Sequence, residues 1–395
     1  MNTKRLFAIL TASALLVGTL AGCGGSKDAS TSESGGETGT VKDVQVWATG
    51  SDNVRQTFEK LVSDFNANSE YAGTYEAKLN FILSGTGGGT LADQLVAAYK
   101  AGQTDTEFDV VDLGDDDLTK ILSLTDESVL EDLDMSKIPN AEGVTAEPVA
   151  AKGKIQPYRG TTVILAYNSE TVPEDEVPTT MDELVEWIKA HPGRFAYNTP
   201  GTGGAGDSFV RTSIYNFIDD ESALMSNDPK WMEQWDEGFA FLKELHPYMY
   251  KSGSSVVYPN KNQGTLDLLT QGEIDMCPNW ADMVLSQRKA GTVPEKIKIT
   301  TIEPSFTGSV QGITVPSYSG NKEGGFAFID YLLSPEAQTI LVQDMAAIPL
   351  VTEGVDLTGA EELMSMDVSN FRTQALGDLV TDLNARWDEE IGTLG

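Results

Sequence analysis

Apolar and polar positions along this chain follow two alternating rhythms. Asp43-Val44-Gln45-Val46-Trp47-Ala48 has period two, the mark of a strand, and Val54, Phe58, Leu61, Val62 and Phe65 then share one helical face. The pair recurs: residues 79–83 read as a strand, and Leu91, Leu95, Val96 and Tyr99 as a helix stopped near Gly102. Phe108-Asp109-Val110-Val111-Asp112-Leu113-Gly114 is the kind of run expected where both faces of a strand are covered, and Asp115-Asp116-Asp117 opens a short helix. Strands alternating with helices predict an α/β sheet, largely parallel.

A second set begins after Pro178. Thr180 and Glu183 have capping-box spacing ahead of Met181, Leu184, Val185 and Ile188, a helical stripe ended by His191-Pro192-Gly193. A strand is predicted over 194–198. Gly206 or Asp207 opens the next helix, and Asp228-Pro229 begins a long one carrying Met232, Trp235, Phe239, Leu242 and Leu245, with proline where its missing N–H costs nothing. A helix closing at Leu269 before Gly272 and a strand at 274–276 complete a second α/β domain of similar architecture. Two long extended passages, 155–168 and 308–316, lie where the sets meet, and Asn321-capped and Ser334-capped helices follow the second of them. Two crossings between two domains predict a hinged clamp, and no repeat of solenoid or propeller length is present.

The N-terminus reads as an address. Lys4 and Arg5 precede an apolar stretch, 6–20, that is too short for a spanning helix, so an export signal is expected. The signal ends in Leu20-Ala21-Gly22-Cys23, which resembles the lipobox of bacterial lipoproteins, in which the cysteine is lipidated. The Gly/Ser/Thr-rich stretch after it reads as a flexible tether. Charge narrows the partners: 27 Lys and Arg against 60 Asp and Glu give a net −33, unsuited to neutralising nucleic-acid phosphates. Two cysteines and two histidines leave little for a disulfide scaffold or a zinc site, and Cys277 reads as a small buried hydrophobe.

Taken in order, several segments give the chain a likeness. The lipobox, the strand and helix from Val46-Trp47 to Phe65, Pro157-Tyr158-Arg159-Gly160 running to Tyr167-Asn168, Gln271-Gly272-Glu273-Ile274-Asp275, and the stretch from Phe326 to Gln338 together resemble an extracellular solute-binding lipoprotein of an ABC importer. Residues 187–195 are most similar to the thiamine, polyamine and iron branch; the paired tyrosines usual in its iron binders are absent. The resemblance implies two α/β lobes joined by a two-crossing hinge, of the type II periplasmic-binding-protein kind, with the ligand in the interlobe cleft. The expected division is a signal peptide over 1–22, a lipid-anchored tether over 23–40, lobe 1 over 41–165 and 308–350, lobe 2 over 166–307, and C-terminal helices over 351–395 packing on the lobes. It further implies a monomeric, extracytoplasmic binding protein anchored to the cell membrane through Cys23 alone, partnered by a permease and ATPase, with no cofactor, metal or enzymatic activity.

In open α/β sheets a ligand sits beyond the carboxyl ends of strands, where loops feed helix N-termini that attract anions. That rule selects Trp47, Thr49, Ser84, Gly85, Thr86 and Gly87 in the first domain, and Asp112, Asp115 and Asp282 offer carboxylates to a cationic solute. In the second it selects Asn198, Gly203, Gly204, Ser208, Trp280 and Asp282. Arg159 and Arg211 offer a planar grip on an anion, and Tyr158, Trp47 and Trp280 an aromatic face. Other readings stand beside these: plain turns for single loops, salt bridges for the arginines, core packing for the aromatics, helix caps for Asp112 and Asp282. The expected solute is small and polar: an organic phosphate, a carboxylate or a thiamine-like or polyamine-like cation. Two other functions compete with the transport receptor, namely a lipid-anchored sensor or adhesin and a secreted hydrolase. For the hydrolase, Gly206-Asp207-Ser208-Phe209 resembles the start of an esterase motif, but neither His191 nor His246 has the Asp-x-x-His spacing.

Overall fold

A computed structural model of the chain describes residues 40–84, 89–144, 146–366 and 372–394. The signal, the tether, Cys23, Gly85, Thr86 and Gly87 lie outside the described residues. In chain order the elements are β1 (Lys42–Gly50), α1 (Asp52–Asn68), β2 (Tyr75–Leu83), α2 (Leu91–Lys100), β3 (Val110–Leu113), α3 (Asp115–Leu124), β4 (Ile155–Asn168), α4 (Met181–Ala190), α5 (Gly204–Tyr215) and α6 (Asp236–Leu245). A short hairpin, β5 (Lys251–Ser252) and β6 (Ser255–Val256), precedes α7 (Lys261–Gln271), β7 (Met276–Trp280), α8 (Ala281–Lys289) and β8 (Ile297–Thr300). Then come β9 (Gly308–Thr314), α9 (Lys322–Leu332), α10 (Pro335–Met345), β10 (Ile348–Pro349), α11 (Glu361–Met364) and α12 (Leu379–Trp387).

One lobe is built on the strand order β10-β4-β9-β3-β1-β2. Its two faces are covered by different helices, which is why β1 and β3 bury residues on both sides. Val44, Val46 and Ala48 pack with Phe58, Leu61 and Phe65 of α1 and with α9 and α10, whereas Val111 and Leu113 pack with Leu91 and Leu95 of α2 and Ile121 of α3. The other lobe uses the second half of β4 with β7 and β8. Alternate β4 residues again face opposite cores, Val163 and Leu165 one way, Ile164 and Ala166 the other.

Strand β4 is therefore shared. Its residues 155–162 pair with β9, and 163–168 with β7 and β8, so the chain crosses between lobes inside one strand. It returns through 301–307 into β9. The C-terminal segment passes back again: Leu376, Leu379, Leu383 and Trp387 are buried in the core that holds α5 and α6.

Local signals held where they rested on side-chain chemistry. Thr180 and Glu183 form the capping box of α4, Asn321 and Ser334 cap α9 and α10, and Gly272 ends α7 in the left-handed conformation. Four readings are corrected. The sheet is mixed: β1 pairs β2 and β3 in parallel, but the ladders of β3 with β9 and of β4 with β7, β8, β9 and β10 are antiparallel. Residues 194–198 are not a strand but make one bridge, Phe195 to Met276, before turning into the glycine loop. The long helix after Asp228-Pro229 is a six-residue 3-10 turn followed by α6, and the predicted strand at 274–276 begins at Met276.

Candidate functional site

Where the lobes face each other lies a cavity of about 440 Å³, and beside it a second of about 460 Å³ that shares Thr49, Leu83, Ser84, Asp117, Thr202, Gly203 and Gly204 with the first. The wall is made largely of helix beginnings: Ser51 and Asp52 of α1, Gly114 and Asp117 of α3, Gly203 and Gly204 of α5, Lys261 to Gln263 of α7, Asp282 and Met283 of α8. None of these five helices has a side-chain cap, whereas α2, α4, α9 and α10 do. Helix N-termini carry about half a positive charge each, so their convergence makes a positive field wherever their own aspartates do not cancel it.

Arg159 projects from β4 into this cavity. A register shift between Pro157 and Arg159 opposite β9 breaks the pleat at that point, and Tyr158 falls into the core between the lobe's helices. Tyr158 Oη donates to Asp112 Oδ1 at 2.9 Å and accepts from Arg159 Nε at 3.0 Å, so the guanidinium is held from behind. Arg159 is only 4 % exposed, yet among the described residues it makes no salt bridge and its terminal nitrogens have no hydrogen-bond partner. Burial and the Arg159 charge pull Asp112 in opposite directions; burial wins and lifts its carboxyl to about 6.

Of the residues selected from sequence, Thr49, Ser84, Arg159, Gly203, Gly204, Trp280 and Asp282 line the first cavity, and Arg211 lines the second. Six do not reach either wall, Asp115 among them. Trp47 packs on Phe108 with its Nε1 on the Glu107 carbonyl, and Asp112 and Tyr158 sit behind Arg159. Asn198 is fully buried and donates to the Gly203 carbonyl. Ser208 is also fully buried, its hydroxyl bonded to the Thr307 N–H and hydroxyl. Asp117, Thr161, Lys261, Asn262, Gln263 and Gln311 line the cavity without having been selected. Lys261 carried a signal visible only in the backbone: φ of 65°, unusual for a residue with a side chain, at a position fixed by its N–H on Thr202 Oγ1.

Among the side-chain bonds that join the lobes, two lie beside the cavities. Arg211 of α5 reaches Asp116 of α3 at 2.7 Å, and the second Asp116 oxygen accepts from the Leu376 N–H. Asn53 of α1 donates to Asp282 of α8 at 3.0 Å. Arg211 is thus occupied by an ion pair and is not free to grip an anion.

The acids at the cleft respond to burial. Asp115 rises to about 7, and Asp117 to about 6, in both cases through desolvation first and the neighbouring Asp116 charge second. Groups raised in the folded state bind protons that the unfolded chain does not bind until near pH 4, so the fold gains stability as the solution is acidified through these values. The thermal midpoint of the ligand-free protein is accordingly expected to rise between about pH 7.5 and pH 5.5, and scanning calorimetry showing it flat or falling there would contradict the desolvation of Asp112, Asp115 and Asp117.

Among the described residues no group of His, Cys, Asp and Glu is arranged to hold a metal ion, and no helix is long and apolar enough to cross a membrane. A family model described as bacterial extracellular solute-binding protein matches residues 60–368. No curated protein matches the chain. Solved structures share its fold at low identity. An ABC transporter from Clostridium perfringens is 16 % identical over 88 % of this chain and 98 % of its own, with a TM-score of 0.61. The periplasmic binding protein AfuA from Actinobacillus pleuropneumoniae, solved with fructose-6-phosphate bound, is 16 % identical over 89 % and 99 %, at 0.59. Ferric ion-binding protein A of Pasteurella haemolytica is 13 % identical over 89 % and 96 %, at 0.60.

Proposed function

The chain belongs to the bacterial extracellular solute-binding protein family, and from that premise we propose that it is an ABC importer's receptor whose cleft takes a small solute bearing a carboxylate or phosphate. Arg159 carries the anionic part of this reading. A buried charge without a partner is costly, and a guanidinium fixed by Tyr158 presents its fork to whatever enters the cavity. The uncapped helix starts around it favour the same charge, and Trp280, Asn262 and Gln311 provide a ring face and polar groups for the rest of the solute. The sugar phosphate held by the Actinobacillus relative is of this class. Export and lipid anchoring at Cys23 are the placement that the N-terminal pattern supports, with delivery to a membrane permease.

Capture in this reading is hinge closure, and the interlobe bonds are the closed form's own contacts. Arg211→Met or Asp116→Asn removes the partly buried ion pair without touching the first cavity, so it shifts the population toward the open form. Solute affinity is expected to fall about tenfold, chiefly through faster release, as read by stopped-flow. Unchanged release would mean that the pair has no part in closure.

The test of the class is calorimetry with organic phosphates, carboxylates, polyamines and neutral sugars. Binding confined to anion-bearing members, and displaced by inorganic phosphate or sulfate, is the expected result. Preferential binding of a polyamine or a neutral sugar would contradict it.

A further inference from the structure

The acids around the cleft are not equivalent. Asp52 is held by Arg55 and Gln56, Asp116 by Arg211 and the Leu376 N–H, Asp207 by the Gly201 N–H and Asn384, and Asp282 by Asn53. Asp115 and Asp117 have neither side-chain hydrogen bond nor ion pair among the described residues, and of the two only Asp117 lies on the wall shared by both cavities. Lys120, the cation on its own helix, is engaged by Asp93 at 2.8 Å. Burial already raises Asp117, which shows that its charge is poorly compensated in the empty cleft.

Arg159 lines the first cavity with it, and among the described residues no hydrogen bond or ion pair joins the two. The cavity is therefore bipolar, with a free guanidinium at one place and a free carboxylate at another.

We propose that the solute is itself bipolar: a primary ammonium bound by Asp117, joined through a short linker to the carboxylate or phosphate bound at Arg159. This rests on the anionic reading of the cavity. It goes beyond that reading by excluding plain carboxylates and sugar phosphates as the preferred cargo. An ammonium gives Asp117 the charge-assisted hydrogen bonds that the fold withholds, and a solute with both groups neutralises the cavity at both ends.

Matched pairs test it by calorimetry on the full mature chain. Unbranched amino acids of two to six carbons are compared with the same acids lacking nitrogen, O-phosphoethanolamine with ethyl phosphate, and glycerol 3-phosphate serves as the hydroxyl-bearing arm. The best amine-bearing probe is expected to bind at least thirtyfold more tightly than its amine-free match, in the carboxylate or the phosphate series according to the natural anion. Asp117→Asn, an isosteric change, is expected to shrink that preference below threefold. Equal affinity within each pair, tighter binding of glycerol 3-phosphate than of any amine, or a preference surviving Asp117→Asn would each overturn the inference, leaving the receptor for anions standing. Absence of binding by every probe would overturn both. The comparison within pairs uses the unaltered protein and does not depend on the variant folding.

Discussion

Arg159→Gln is expected to abolish high-affinity solute binding while the protein remains folded. Truncating one partner of a buried, hydrogen-bonded charge pair costs about 2–5 kcal/mol, so the dissociation constant should rise by roughly thirtyfold to several thousandfold. Glutamine can still meet Tyr158, but it takes from buried Asp112 and Asp282 the positive charge that acts on both, so the ligand-free thermal midpoint should fall only modestly. That combination separates a binding role from a structural one. Arg159→Lys keeps the charge but loses the planar fork and the Nε bond, and should recover only a small part of the affinity. Calorimetry and thermal unfolding on the same samples check both halves; weak binding accompanied by a large loss of stability would assign Arg159 to the core instead.

Gly206→Ala is expected to damage fold and cleft together. A Cβ at this position would stand 1.9 Å from the Asn198 carbonyl oxygen, a backbone atom that cannot swing aside. Either α5 or residues 198–203 must move, and those residues carry the Gly203 and Gly204 wall. Overpacking of this kind costs about 1–3 kcal/mol or more, which lowers the thermal midpoint by several degrees, and the displaced wall should weaken solute binding by at least about tenfold. Gly143→Ala meets nothing within 4 Å and is expected to change neither quantity. Equal behaviour of the two variants would contradict the close approach of α5 to residue 198.

These two positions also show how far the sequence reached. Helices with apolar stripes and chemical caps were readable, as Phe58 and Phe65 on α1 and Thr180 with Glu183 on α4 demonstrate, because both signals are local. Strand direction was not, because β9 enters between β3 and β4 from far along the chain and nothing in residues 308–314 encodes which neighbours it meets. The same division runs through the site. Loops that join a strand to a helix pointed to Thr49, Gly203 and Trp280, all on the wall. They equally pointed to Trp47 and Ser208, whose side chains leave the wall for Phe108 and Thr307. Gln311 was invisible to that rule because it lies within a crossing strand, and Asn262 because α7 announced only its C-terminal end. Asp117 looked like one of three ordinary N-terminal aspartates; the partners of Asp116 and the place of Asp115 off the cavity wall distinguish it from them.

The most direct test is the crystal structure of the protein loaded with the tightest-binding solute from the calorimetric panel. Its anionic group should lie within hydrogen-bond distance of both Arg159 terminal nitrogens, with residues of both lobes in contact with the same molecule. A solute resting on one lobe alone, or bound elsewhere with the Arg159 guanidinium untouched, would contradict the account.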